Sequence, residues 1–156
     1  MVNSSSAAKL LVLLPTETAD PGKPPYDYGS VGGRVISAYS PAAGTAFAVQ
    51  VWAVDNYWNK RTDVSANVQG VTADPNDVET GLSARSLFSG TTNFNAVMVS
   101  TGSWQITAST TSGAALKNGV SQAVNVTAGA VNRLVALLPG ERLNPGKSPY
   151  TAGGAP

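Results

Sequence analysis

The side chains best suited to acid–base chemistry in this sequence are aspartates that fall in predicted turns. Four of them stand between predicted strands: Asp55, Asp63, Asp74 and Asp77. Aspartate is favoured in turns because its side chain bonds nearby backbone amides, although two such carboxylates could instead flank a sugar bond as acid and base. The chain has no histidine and no cysteine, so the most common general base and the most reactive nucleophile are missing. We therefore expect no catalytic residues and no enzymatic activity.

The same turns also offer hard oxygen ligands of the kind that Ca²⁺ prefers. One candidate group comprises Asp55, Asn59 and Asp63, and the other comprises Asp74, Asn76 and Asp77. Neither group follows the EF-hand loop pattern, and ordinary turn formation accounts for both. The sequence therefore predicts no cofactor and no metal site, and it leaves calcium binding open.

Charge and hydropathy argue against two classes of partner. Charged residues make up 12% of the chain and the net charge is +1, with lysine and arginine scattered singly. Such a distribution produces no long-range field that would attract nucleic acid. No apolar run reaches the roughly 18 residues needed to cross a membrane. We expect neither nucleic-acid binding nor a membrane span.

One stretch of the sequence occurs twice. Residues 9–26 (KLLVLLPTETADPGKPPY) match residues 133–150 (RLVALLPGERLNPGKSPY) at a constant offset of 124 residues. A self-match at one fixed period is typical of tandem arrays. The sequence therefore predicts one complete repeat followed by the opening strand and loop of another.

The pattern between the two copies predicts an all-β fold. Short apolar or alternating runs are separated by glycine, proline and aspartate turns, and no segment has a helical period. Seven strands are predicted, at 8–14, 45–54, 64–72, 84–88, 93–99, 103–109 and 121–127. Short strands at this spacing are typical of a β-sandwich. A long segment rich in proline, glycine and tyrosine, at about 16–43, follows the first strand.

Several pieces of the sequence resemble a known architecture. The opening AGTAFAVQVWAVD, the strand GSWQITAS and the junction VNVTAGAVNRLVALLPGE occur in this order along the chain. This succession resembles the tandem Ig-like repeats of large bacterial surface proteins. The resemblance implies an Ig-like antiparallel β-sandwich that serves as a structural segment of an extracellular stalk, adhesin or fibre. The insert at 16–43 and the tryptophan at Trp52, where the pattern has a polar residue, depart from it.

The repeat and the resemblance together give a division of the chain. Residues 1–130 are interpreted as one Ig-like repeat, and residues 131–156 as the first strand and loop of the next. The expected partners are copies of the same protein or adjacent repeats of the same chain, at the bacterial cell surface.

Aromatic residues divide between the two faces of the predicted strands. Trp104 alternates with Ile106 and is predicted to lie in the core. Trp52 faces away from Phe47 and Val49. If strands 45–54 and 93–99 are neighbours, an outer apolar patch forms from Trp52, Val54, Val97 and Val99.

Three interpretations of the outer patch remain open. The insert could cover it with Tyr26, Tyr28, Val35, Ile36 or Tyr39, or another molecule could contact it. It could also bind sugars. In that alternative, the chain is a carbohydrate-binding β-sandwich module that stacks surface glycans on Trp52, Trp58 and tyrosines of the insert.

The second copy of the repeated stretch leads to a hypothesis about assembly. A sandwich has one position for its first strand, and residues 8–14 are expected to fill it. The second copy would then expose an apolar strand made of Leu134, Val135, Ala136, Leu137 and Leu138. We expect residues 131–150 to dock on another copy by β-strand addition and to produce head-to-tail assembly. Alternatively, this segment continues strand 121–127 as one long ribbon.

Overall fold

The computed structural model describes residues 5–27, 31–77 and 82–148. Within these ranges the protein is all-β and contains no helix. Its strands are β1 (Lys9–Leu13), β2 (Thr18–Ala19), β3 (Arg34–Val35), β4 (Ala46–Val54), β5 (Ala66–Thr72), β6 (Arg85–Ser86), β7 (Thr91–Val97), β8 (Gly102–Trp104), β9 (Ile106–Gly113), β10 (Gly119–Val120) and β11 (Val124–Val126). It follows that no described segment is a helix long and apolar enough to cross a membrane.

Two antiparallel sheets enclose one hydrophobic core. One sheet has the strand order β1-β4-β7 and the other β10-β9-β5-β6, while β11-β8 and β2-β3 form two small two-stranded sheets. Phe47 and Phe94 from the first sheet belong to the same buried cluster as Val68 and Ile106 from the second. This arrangement is consistent with a β-sandwich.

The alternation of side chains in the longer strands explains this packing. In β4, Phe47, Val49 and Val51 are buried, while the residues between them are exposed or half-buried. A strand with one face on a core shows this period of two, because successive side chains point to opposite faces. The inward face predicted for this segment is therefore confirmed.

Strand β1 differs from the others because both of its faces are buried. Leu10 and Val12 point into the large core, and Leu11 and Leu13 point into a second cluster. Along its edges β1 pairs with β4 on one side, and on the other the Leu10 amide donates to the Lys117 carbonyl at 3.0 Å. A strand enclosed in this way reads as a continuous apolar run, which accounts for the sequence KLLVL.

The second cluster lies on the outer side of β1, under residues of the predicted insert. Trp58 is 2% exposed and packs there with Leu11, Leu13 and Val54, and Ala19 of the insert packs against the same cluster. The backbone of Gly33 presses on the indole, since a Cβ atom built there would lie 2.4 Å from Trp58 Cγ. Small residues and backbone therefore cover this face.

The large side chains expected to provide this cover do not do so. Val35, Ile36 and Tyr26 are exposed. Tyr39 packs instead on Phe47 in the large core, with ring centroids 5.1 Å apart. Tyr28 lies outside the described residues.

The prediction of a core tryptophan at Trp104 needs correction. Trp104 is half-buried at the margin of the large core, and its Nε1 donates to the Ser100 carbonyl at 2.8 Å. The buried tryptophan is Trp58, which follows β4 in a tight turn at a φ of 69°. Its burial could not be predicted from the polar turn sequence around it (DNYWN), because strand periodicity does not extend into turns.

Candidate functional site

The predicted self-association strand lies at the surface of the protein. Leu134 is 97% exposed, whereas the equivalent Leu10 is 2% exposed. Leu138 is 69% exposed, whereas Leu14 is 2% exposed. Residues 128–148 form no strand, so the second copy does not continue β11 as a ribbon. The apolar run of the repeated stretch thus differs in environment between the two copies, because it is buried in the first and exposed in the second.

The second copy nevertheless repeats the hydrogen bonds of the first turn of the loop. The Leu138 amide donates to Glu141 Oε2 at 2.8 Å, and the Glu141 amide donates to the Leu138 carbonyl at 3.0 Å. In the first copy, Leu14 and Glu17 make the same two bonds at 2.9 and 3.0 Å. These bonds join residues three apart, so the turn forms without the rest of the core.

The following proline–glycine turn is also shared. The Lys147 amide donates to the Asn144 carbonyl at 3.3 Å, and the Lys23 amide to the Asp20 carbonyl at 3.2 Å. Gly146 and Gly22 both have a φ of 80°, a conformation that strongly favours glycine. The two copies therefore share both hydrogen-bonded turns, but Gly140 has a φ of 97° at the position of Thr16, and residues 142–143 form no strand at the position of β2.

In the first copy, the Glu17 carboxylate has a further, buried partner. Arg34 Nη1 lies 3.7 Å from Glu17 Oε2, and both side chains are almost completely buried. The Arg34 guanidinium also donates to the carbonyls of Val12 at 2.7 Å and Val120 at 3.0 Å. Burial raises the pKa of Glu17 and lowers that of Arg34, and the attraction between them opposes both shifts. Glu141 in the second copy remains partly exposed.

Residues at one corner of the β-sandwich bind the proline–glycine turn of the second copy. The Pro145 carbonyl accepts hydrogen bonds from Asn76 Nδ2 at 2.9 Å and Ser100 Oγ at 3.2 Å. Gly146 lies so close that a Cβ atom there would be 2.4 Å from Ser100 Oγ. We call the three residues Asp74, Asn76 and Ser100 the docking corner.

Asp74 shapes the docking corner from beneath. Its buried carboxylate accepts hydrogen bonds from the amides of Asn76 at 3.0 Å, Val99 at 2.9 Å and Ser100 at 2.8 Å. Burial by itself would raise the pKa of Asp74, but bonds from Ser100, Asn76 and Val99 hold that pKa below its ordinary value. The carboxylate therefore fixes the positions of the two side chains that contact Pro145.

The four residues of the predicted outer patch do not come together. In the antiparallel pairing of β4 with β7, Trp52 lies opposite Thr91, and Val97 lies opposite Ala46 at the other end. Antiparallel pairing reverses the order of one strand, which the prediction of a single patch ignored. Val54 is 0% exposed and, with a half-buried Trp52, belongs to the second cluster. Val97 and Val99 are half-buried, and Val99 borders a cleft beside Gly146.

The aromatic residues of the sugar-binding alternative are arranged differently from a stacking platform. Lys9 Nζ lies 3.3 Å from the centroid of the Trp58 ring, and Trp58 Nε1 donates to the Pro25 carbonyl at 2.9 Å. Because Trp58 is only 2% exposed, neither its ring nor its polar edge presents a surface to a sugar. Tyr26 and Tyr57 are exposed, but their rings meet edge to face at 79°.

The aspartates of the predicted turns bond to neighbouring groups of the protein. The Asp55 carboxylate accepts bonds from the amides of Tyr57 at 2.8 Å and Asn59 at 2.9 Å, and Asp63 pairs with Arg61. Burial would raise the pKa of Asp55, yet donors from Asn59, Tyr57 and Ser5 together lower it. Asp77 accepts a bond from the Thr72 hydroxyl. Among the described residues, no group of three or more histidine, cysteine, aspartate or glutamate side chains could hold a metal ion.

Two features of this site were not foreseen from the sequence: the Glu17–Arg34 pair and the docking corner. One signal was available, since Glu17 and the Pro-Gly-Lys turn recur in the second copy while neighbouring positions differ. The sequence spacing does not predict the roles of Arg34 and Ser100, because they come from segments that are distant in sequence and meet their partners only in the fold. The chain matches no protein-family model and no curated protein, so no known family supplies a function for these residues.

Proposed function

We propose that the chain is a non-catalytic structural unit of a bacterial extracellular filament, stalk or adhesin. In this proposal residues 1–130 form one Ig-like unit with an insert at about 16–43, and residues 131–156 begin the next unit. The observation that carries it is the second copy of the first turns, which repeats their hydrogen bonds while its apolar residues 134–138 are exposed. The resemblance to Ig-like repeats adds the extracellular location.

The apolar side chains of the second copy suit the position that β1 occupies. Three of them correspond to residues in the large core: Leu134 to Leu10, Ala136 to Val12, and Leu138 to Leu14. The two between them, Val135 and Leu137, correspond to Leu11 and Leu13 in the second cluster. The period of two is kept, so a strand made of 133–137 would place each side chain on its required face.

The charged groups correspond as well. Arg133 stands at the position of Lys9, whose ammonium lies over the Trp58 ring, and arginine makes such cation–π contacts readily. Glu141 stands at the position of Glu17, the partner of Arg34. The second copy thus carries the chemistry that the first-strand position of a further unit requires.

Such a strand can also act between separate copies. We propose that the second copy adds to the sheet of another molecule by β-strand addition when no following unit takes it up. This contact joins two different surfaces, so its repetition produces an open fibre rather than a closed dimer.

Removal of the second copy tests this function. Sedimentation velocity of the full chain should show association that increases with concentration, and a chain ending at Gly129 should remain monomeric. The shortened chain should be as stable as the full one, because no described residue beyond Val126 belongs to either core cluster. A full chain that stays monomeric at every concentration would contradict the strand-addition proposal.

A matched pair of substitutions separates strand addition from nonspecific stickiness. Leu134→Asp should abolish association, because it places a charge within the apolar segment that would pair with the sheet of another copy. Phe88→Asp removes another highly exposed apolar side chain, 83% exposed on the body, and should leave association unchanged. Equal effects of the two substitutions would contradict the proposal. Retention of the chain on a polysaccharide gel would instead favour a carbohydrate-binding module.

A further inference from the structure

We propose that the docking corner is a joint between consecutive units, and that the exposed turn Asp20–Lys23 is the matching face for the docking corner of a preceding copy. This inference rests on the proposed function, because it takes the second copy as the start of a further unit. The partner is a second copy of this chain, which presents Asn76 and Ser100.

The contact in the second copy shows how the joint is made. Asn76 and Ser100 both donate to the backbone carbonyl of Pro145. The Asp74 carboxylate holds the corner by accepting hydrogen bonds from three backbone amides. Asn76 Nδ2 also donates to Asn144 Oδ1 at 3.4 Å, and the aspartate at position 20 of the first copy likewise carries an acceptor oxygen. The joint therefore tolerates the change from Asn144 to Asp20 between the copies but requires the close approach of a glycine.

The turn of the first copy has the same shape, and the face that would meet a docking corner is open. Its inner side is tied to its own unit, since the Gly22 amide donates to the Tyr57 carbonyl and the Asp20 amide to the Gly33 carbonyl, both at 2.8 Å. Pro21 and Gly22 are exposed. A Cβ atom built on Gly22 would meet no described atom within 4 Å, whereas one on Gly146 would meet Ser100.

The turn is thus held on one side by its own unit and leaves the other side for the preceding one. Two hydrogen bonds and one close backbone contact make a weak interface between separate molecules. Within a tandem chain the linker supplies a high effective concentration, so a small contact suffices to fix the orientation of neighbouring units.

Intermolecular paramagnetic relaxation detects such weak contacts and tests the inference. The chain has no cysteine, so Thr18→Cys provides a unique nitroxide site beside the turn. Both the nitroxide donor and the ¹⁵N-labelled acceptor end at Gly129, which removes strand addition by the second copy and frees the docking corner. All the described strands precede that residue, so the shortened chain keeps its whole core.

The expected result is a loss of amide signal at Asn76 and Ser100 of the shortened acceptor. A full-chain acceptor should lose none, because its own Pro145–Gly146 turn occupies the corner, and a nitroxide at Phe88→Cys should cause none. Equal signal loss in both acceptors, or no loss in either, would overturn the inference. If the shortened chain fails to fold, full-length chains with Gly146→Ala and Leu134→Asp serve as donor and acceptor, which frees the docking corner and still prevents strand addition. Because neither shortened chain carries residues 134–138, failure here leaves strand addition untouched.

Discussion

Glu141 accepts the amide proton of Leu138 at 2.8 Å, which repeats at the surface the bond that Glu17 makes to Leu14 in the interior. The turn is therefore a property of the local sequence. The surroundings of the two glutamates differ entirely, because only Glu17 has Arg34 packed against it. This contrast allows each copy to serve as the control for the other.

Substitution of the two glutamates should have very different effects. Glu17→Ala removes the acceptor of the buried Leu14 amide and the side chain beside Arg34, and leaving buried polar groups without partners should cost about 3 kcal/mol or more. Glu141→Ala changes a partly exposed group, so the free energy of unfolding should fall by about 0.5 kcal/mol or less. Urea denaturation of both variants measures the difference. Similar losses would show that the Glu17–Arg34 pair does not stabilise the fold.

The two tryptophans near the first strand should also differ in their effect on stability. Trp58→Ala removes a fully buried indole and should lower the free energy of unfolding by about 4 kcal/mol. Trp52→Ala removes a half-buried one and should lower it by about 2 kcal/mol. Denaturant melts of the two variants provide the comparison. A larger loss for Trp52 would contradict the packing of the second cluster.

Periodicity within single strands was sufficient to predict the all-β class and the inward faces. For β4, alternation identified Phe47, Val49 and Val51 as buried residues because a strand with one buried face must alternate. The continuous apolar run 10–14 likewise marked a strand, since both of its faces are covered.

Features that depend on register or on turns could not be predicted in this way. The outer patch failed because Trp52 and Val97 lie at opposite ends of an antiparallel pair, which strand periodicity does not encode. Trp58 sits in a turn, where no period indicates burial. The docking corner joins Asn76 and Ser100 to Pro145, residues that are distant in sequence and come together only through the fold.

Acid should destabilise the protein in part through Asp74. Its pKa is lowered in the folded state, so the stability that it contributes is present above the ordinary pKa of aspartate and is lost as the pH falls through the folded value. Glu17 acts in the opposite sense, because its raised pKa means that stability declines as the pH rises through the range between its unfolded and folded values. Asp74→Asn should therefore reduce stability at neutral pH and weaken its decline below about pH 4. Thermal melts over a pH series check this, and an unchanged acid slope would contradict it.

Substitutions of the two turn glycines should distinguish the stability of the β-sandwich from the docking of the second copy. Gly22→Ala strains a turn bonded to the body, so it should lower the melting temperature of the body. Gly146→Ala introduces the same local strain and also a clash with Ser100, so it should release the second copy without affecting the body. Limited trypsin digestion after Arg142 and Lys147 should accelerate in Gly146→Ala alone. Equal acceleration in Gly22→Ala would argue against the joint.

The central claim, that the second copy is an equivalent first strand and loop, is tested most directly by a graft. Residues 9–26 are given the sequence of residues 133–150, which changes eight positions. Of these changes, Leu11→Val and Val12→Ala reduce buried apolar volume, and together they should cost about 3 kcal/mol. The double variant with these two substitutions alone is the matched control, and chemical denaturation is the measurement. The account predicts that the graft unfolds cooperatively with the same free energy as this control. A graft that fails to fold, or that is much less stable than the control, would contradict the equivalence of the two copies.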